Sequence, residues 1–242
     1  MKRAAAPLVC LALTGFLNAS NLFTNSTFEA GTLTGWNVLT APATGSPTDN
    51  DAFAVNDTDQ DQDNGELPTV GPFAGSWYAL SDTSGNRSPE SAGLFQTVTI
   101  PLDTTSVILS AEIFVNDWCE FFSGGNVSSC GGGGEIGIWA SGANPLSATP
   151  LDILYTADTT TGTGGTPNPY VAVNDNITGD VVPGTSYVIG IVETDTEGVI
   201  NVGVDNFAVN AGSGTTPEPA MLLPTLAGLV TLIYRARRRA RA

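Results

Sequence analysis

The chain has 242 residues with 24 Asp and Glu, eight Lys and Arg and no histidine, for a formal net charge of −16. Without histidine there is no Ser-His-Asp or Cys-His catalysis and no His-ligated zinc. The cations sit almost wholly at the two ends: between residues 20 and 212 only Arg87 faces 23 carboxylates. A body so acidic repels nucleic acid and anionic membrane, and its lack of lysine excludes Schiff-base chemistry and a P-loop.

The N-terminus opens with Lys2-Arg3, continues with an apolar run over Ala4–Leu17 and ends in Leu17-Asn18-Ala19. A basic start, an apolar core and a small-residue site predict a signal peptide over residues 1–19, cut between Ala19 and Ser20. Cys10 follows Val9, too large a residue for a lipobox. The remaining body, 20–212, is long enough for one domain with a sizeable core.

Along that body, runs of Val, Ile, Thr, Phe, Tyr and Trp alternate with Gly, Pro, Asn and Asp punctuation, which predicts strands and almost no helix. The expected strands are Trp36–Thr40, Ala52–Asn56, Ser76–Ser81, Gly93–Ile100, Val107–Val115, Glu135–Ala140, Leu151–Thr156, Tyr187–Glu193 and Val199–Asn210. In Val107–Val115 the odd positions are apolar while Ser110 and Glu112 face the other way, the pattern of a half-buried antiparallel strand. So many short strands predict an all-β sandwich of two antiparallel sheets.

Between the second and third of these, Asp57, Asp59, Asp61 and Asp63 stand at every second position before Gly65. The spacing suggests the opening of a calcium loop, but the glycine falls one residue late and position twelve, Val70, is no ligand. The other reading is a solvated acidic loop. Cys119 and Cys130 are the two cysteines left after processing, and an even count in an exported chain favours a structural disulfide. Trp36, Trp77, Tyr78, Trp118, Trp139, Tyr155 and Tyr170 are the rings available for stacking on a ligand. Trp118, beside a glycine-rich loop, is the best placed for exposure; core or loop packing is the competing role for each.

Three segments carry a resemblance. Asn25-Ser-Thr-Phe28-Glu29-Ala-Gly31-Thr-Leu33-Thr-Gly35-Trp36, Leu94-Phe95-Gln96-Thr-Val98 with Pro101, and Val204-Asp205-Asn206-Phe207-Ala-Val209 resemble the first, middle and closing strands of jelly-roll carbohydrate-binding modules of the galactose-binding-like type. The resemblance implies a jelly-roll fold and a structural Ca²⁺ shared by Glu29 and Asp205, whose carboxylates suit a hard cation. Ordinary turn carboxylates bound to backbone amides are the alternative.

The last segment, 213–242, carries a second resemblance. A Gly/Ser/Thr spacer leads to Pro217-Glu218-Pro219, an apolar span over residues 220–234 and the basic end Arg235, Arg237, Arg238, Arg239 and Arg241. The order resembles the PEP-CTERM sorting signal, which implies transient anchoring in the inner membrane and cleavage by an exosortase-type membrane protease. Fifteen apolar residues rise about 22 Å, short of a ~30 Å hydrocarbon core, although a permanent membrane helix with snorkelling arginines is the rival reading.

These readings converge on an exported, surface-displayed or extracellular jelly-roll protein without catalytic activity, associated with extracellular polysaccharide and stabilised by Ca²⁺. The alternatives are a carbohydrate-binding module with an aromatic platform, a carboxylate-only glycoside hydrolase, and a passive structural or adhesive subunit.

Overall fold

The computed structural model describes residues 19–41, 52–60, 68–83, 90–118, 131–158, 166–197 and 200–214. Among them lie eleven strands: β1 (Ala19–Asn21), β2 (Asn37–Ala41), β3 (Ala54–Asn56), β4 (Tyr78–Thr83), β5 (Glu90–Thr99), β6 (Thr104–Asp117), β7 (Gly131–Ala140), β8 (Asp152–Asp158), β9 (Val171–Asn176), β10 (Ser186–Glu197) and β11 (Ile200–Ser213). A 3-10 turn at Ile177–Gly179 leads from β9 toward β10. Among the described residues no helix is long and apolar enough to cross a membrane.

The strands form two antiparallel sheets, one in the order β3-β4-β11-β6-β9 with β1 also beside β11, the other in the order β2-β5-β10-β7-β8. The architecture is the all-β jelly-roll sandwich expected from the sequence. Every predicted strand is present, with ends displaced by a few residues. Two strands escaped prediction. β1 is a three-residue polar segment, and β9 reads Val-Ala-Val-Asn-Asp-Asn, whose second half looks like turn chemistry.

The core lies between the sheets. Val107, Leu109, Ala111, Ile113 and Val115 of β6 point inward against Ile136 and Ile138 of β7, Ile189 and Ile191 of β10, and Val202 and Val204 of β11. At roughly 25 cal/mol per Å² of buried apolar surface, this layer is the main stabilising contribution. The expected solvent face of β6 needs correction beyond Glu112. Phe114, on that outer face, is buried with Tyr78 and Leu80 of β4 in a second apolar cluster against Val70 and Tyr170. Gly203 of β11 makes this possible, because any side chain there would run into the Phe114 ring.

Ala19 and Ser20, the predicted cleavage pair, sit in β1, where Ala19 is opposite Gly212 and Ser20 opposite Ala211. Signal residues 1–18, Asp61, Asp63, Cys119, Cys130, the motif Pro217-Glu218-Pro219 and the arginines from Arg235 to Arg241 lie outside the described residues.

Candidate functional site

Four rings gather the first and last signature segments into one box. Trp36 stacks on Phe28 (5.4 Å between centroids) and on Phe207 (5.5 Å), while Phe23 packs against both Trp36 (4.9 Å) and Phe207 (5.1 Å). Each such pair contributes about 0.5–1.5 kcal/mol beyond area burial. The Trp36 indole also donates to the Asn25 carbonyl at 3.0 Å. Trp36 is therefore a core residue.

The box holds two left-handed junctions. Phe28 has φ +59° and Asn206 has φ +49°, a value that asparagine tolerates and that is costly for phenylalanine. Each flanks a carboxylate: Glu29 follows Phe28, and Asp205 precedes Asn206. The two carboxylates converge on the loop between residues 71 and 77. Glu29 Oε1 accepts hydrogen bonds from the amides of Ser76 (2.9 Å) and Trp77 (3.0 Å), and its Oε2 accepts a second contact from Ser76 N (3.1 Å). Asp205 Oδ2 accepts from Ala74 N at 3.0 Å, and its Oδ1 from Asn206 N at 2.6 Å.

This geometry bears on the calcium expectation. A hard cation takes six to eight oxygen ligands. Here the loop turns amide donors toward both carboxylates, the hydrogen bonding of turn carboxylates satisfying backbone. Among the described residues no three Asp, Glu, Cys or His side chains converge on a point that a metal would fill. Asp57 and Asp59 are exposed on a loop that folds back on residues 68 and 69 through the Gln60–Pro68 bridge and the Thr69 N–Asp59 carbonyl bond.

The loop held by the carboxylates carries Phe73, whose ring is 51% exposed. It meets Tyr170 edge-on at 5.4 Å, Tyr170 meets Phe114 edge-on at 5.1 Å, and Phe114 lies 6.0 Å from Tyr78. The result is an aromatic row that starts in solvent and runs into the covered part of the outer face. The Tyr170 hydroxyl donates to the Gly71 carbonyl at 2.8 Å, tying the segment before β9 to the same loop. Burial pushes the Tyr170 phenol far up. Tyr78, held by Thr69, Asn56 and the Thr58 carbonyl, is pushed up to about 12, chiefly by burial.

Beside the row, Glu112 of β6 stands directly opposite Asp205 of β11 and Ala172 of β9, and Ser110 stands opposite Asn174. Glu112 is partly buried, and its carboxyl is raised by desolvation and then by the Asp205 charge. Asp205, with no exposed surface, is raised by burial and by Glu29, against the pull of the amides of Ala74, Asn206 and Phe73. This end of the outer face thus offers a rigid aromatic ledge bordered by carboxyl, hydroxyl and amide groups.

The ligand position assigned to Trp118 is corrected by the structure. Its indole is fully buried and donates to Asn201 Oδ1 at 2.7 Å, and Asn201 Nδ2 in turn donates to Asp82 Oδ1 at 2.7 Å. Trp139 is likewise buried, donating to the Ala148 carbonyl. Trp77 packs over Gly31, and Tyr155 borders a cavity of about 110 Å³ at the open edge between β8 and β9. Phe73 was missed in the sequence. Its signal was an aromatic residue between two glycines and a proline, Gly71-Pro-Phe-Ala-Gly75, a setting in which a large ring cannot be a strand residue.

No protein-family model matches the chain, and no curated protein matches it. Solved structures share its outline. A carbohydrate-binding module in complex with β-1,4-galactotriose gives a TM-score of 0.46 at 14% identity, over 78% of this chain and 97% of that one. The K3 cleaved adhesin domain of Lys-gingipain from Porphyromonas gingivalis gives 0.46 at 14% identity, over 81% and 100%. A cyclase from Fischerella sp. TAU gives 0.44 at 14%, over 82% and 100%. Likeness at this level extends to the sandwich outline and does not distinguish a sugar binder from an adhesin or an enzyme.

Proposed function

We propose that the body is a non-catalytic glycan-binding module of the extracellular matrix, with its ligand packed on the Phe73–Tyr170 ledge. The observation that carries this reading is the half-exposed Phe73 ring on a loop fixed at both ends, supported from below by Tyr170 and Phe114. Sugars present flat C–H faces that pack on such rings, and their hydroxyls pair with carboxyl, amide and hydroxyl groups like those of Glu112, Asn174 and Ser110. The acidic body favours a neutral polysaccharide over an anionic one. Asp205 is buried with both oxygens engaged, which argues against its serving as a hydrolytic carboxylate. In the same proposal, the signal peptide exports the protein and the Pro217-Glu218-Pro219 tail is removed by an exosortase-type protease after transient anchoring in the inner membrane.

The test is retention of the purified protein in gels containing neutral polysaccharides such as galactan, xylan or glucan, and anionic alginate. Phe73→Ala should weaken retention in the neutral gel roughly tenfold, in line with the loss of one aromatic contact, while circular dichroism stays unchanged. Equal retention of the variant and the parent, or no retention in any gel, would overturn the reading.

A further inference from the structure

We infer that Glu29 and Asp205 are positioning residues that hold the Phe73 loop by carboxylate–amide hydrogen bonds, without a cation. Three observations carry this. First, the bonds are distributed over the loop: Asp205 takes the amide of Ala74 while Glu29 takes those of Ser76 and Trp77, so Gly75 is bracketed on both sides. Second, the backbone approaches Glu29 so closely at Gly75 (φ +72°) that a side chain there would run into the carboxylate, so the loop is seated directly against it. Third, both carboxylates adjoin left-handed residues, Phe28 and Asn206, and the strain at Phe28 persists only where surrounding structure over-determines it. The aromatic box supplies that determination, since Phe28 and Phe207 are both packed on Trp36. A chain of contacts therefore runs from the core through the two left-handed junctions to the carboxylates, then to the loop and to the ring at its tip.

The clamp stands on these contacts alone; its role in ligand binding rests on the glycan reading above. The experiment is amide hydrogen exchange on the purified protein in EDTA and in millimolar Ca²⁺, together with Glu29→Gln and Asp205→Asn. The amides of Ala74, Ser76 and Trp77 should be protected equally in both buffers. Glu29→Gln should accelerate exchange at Ser76 and Trp77 by about tenfold or more, since bonds to a charged acceptor are among the stronger ones, and Asp205→Asn should do the same at Ala74. Faster exchange across this loop in EDTA, reversed by Ca²⁺, would overturn the inference. If Asp205→Asn does not fold, Glu29→Gln, at an exposed side chain, still decides the matter.

Retention in polysaccharide gels supplies the second readout. Glu29→Gln should weaken retention in the parent but bring no further loss when added to Phe73→Ala, because both act through one ring. Additive losses would overturn the positioning role. If the parent protein is retained by no polysaccharide while the exchange pattern holds, the glycan reading falls and the clamp stands.

Discussion

Gly75 and Glu29 form an obligate pair, the glycine lying where any side chain would meet the carboxylate of the glutamate. Gly75→Ala should therefore cost more than the ordinary strain of a left-handed alanine. Gly142 gives the reference: it has φ +77° and nothing within 4 Å of the place a methyl group would occupy. Gly142→Ala should lower stability by roughly 1 kcal/mol, and Gly75→Ala by roughly 1–3 kcal/mol more as the clamp is displaced. Urea unfolding of the two variants measures the difference, and equal midpoints would argue against a tight fit.

Stability should fall as pH rises from the acid side. Asp205 is raised above its ordinary 3.8 by burial, and Glu112 above its ordinary 4.5 by burial and by Asp205. The native state therefore keeps protons that the unfolded chain has released. That contribution is complete below the ordinary values and is lost as pH climbs through the higher folded ones. Denaturant midpoints should decline as pH rises above about 4, the ordinary carboxylate range. Glu112→Gln removes a like charge directly across from Asp205, worth roughly a few tenths of a kcal/mol, so it should flatten the decline and raise the neutral-pH midpoint. A steeper decline in the variant would contradict the pairing.

Trp118→Phe should keep most of the ring volume but leave Asn201 Oδ1 without the indole donor in a fully buried setting. Losing one partner of a buried polar pair costs about 1–3 kcal/mol. Guanidinium unfolding should show this loss, while retention in polysaccharide gels stays at the parent level. Weakened retention with unchanged stability would restore Trp118 as a ligand contact.

The Tyr78 phenol should stay protonated in alkali as long as the protein is folded. Absorbance at the phenolate band up to about pH 11 should be the same for the parent and for Tyr78→Phe, since burial pushes this group up to about 12. A smaller rise in the variant over that range would show the hydroxyl to be wet.

The sandwich was legible because its core strands alternate cleanly. Val107, Leu109, Ala111, Ile113 and Val115 declare their buried side, and each predicted strand recurs in the fold. β9 was not legible because Asn174, Asp175 and Asn176 read as a turn, and only pairing with Ile108, Leu109 and Ser110 makes them a ladder. Of the site, Glu29 and Asp205 were marked in the sequence as a pair meeting in space, but their partners were not. Backbone amides carry no residue-type signature, so carboxylates that bind N–H groups and carboxylates that bind a metal look alike in one dimension. Trp118 was misplaced for a related reason. Its glycine-rich surroundings suggested exposure, whereas its acceptor, Asn201, lies 83 residues away.

The pairing of Ala19 with Gly212 and of Asn21 with Asn210 has a mechanical consequence. The antiparallel strands leave the sandwich at the same rim, so tension drawn between the two ends unzips β1 one rung at a time instead of shearing it. Once the chain is cut after Ala19, the rungs Ser20–Ala211 and Asn21–Asn210 give way before the load reaches Leu22 and Phe23. Under such a pull β1 yields first, while the rings around Trp36 stay closed.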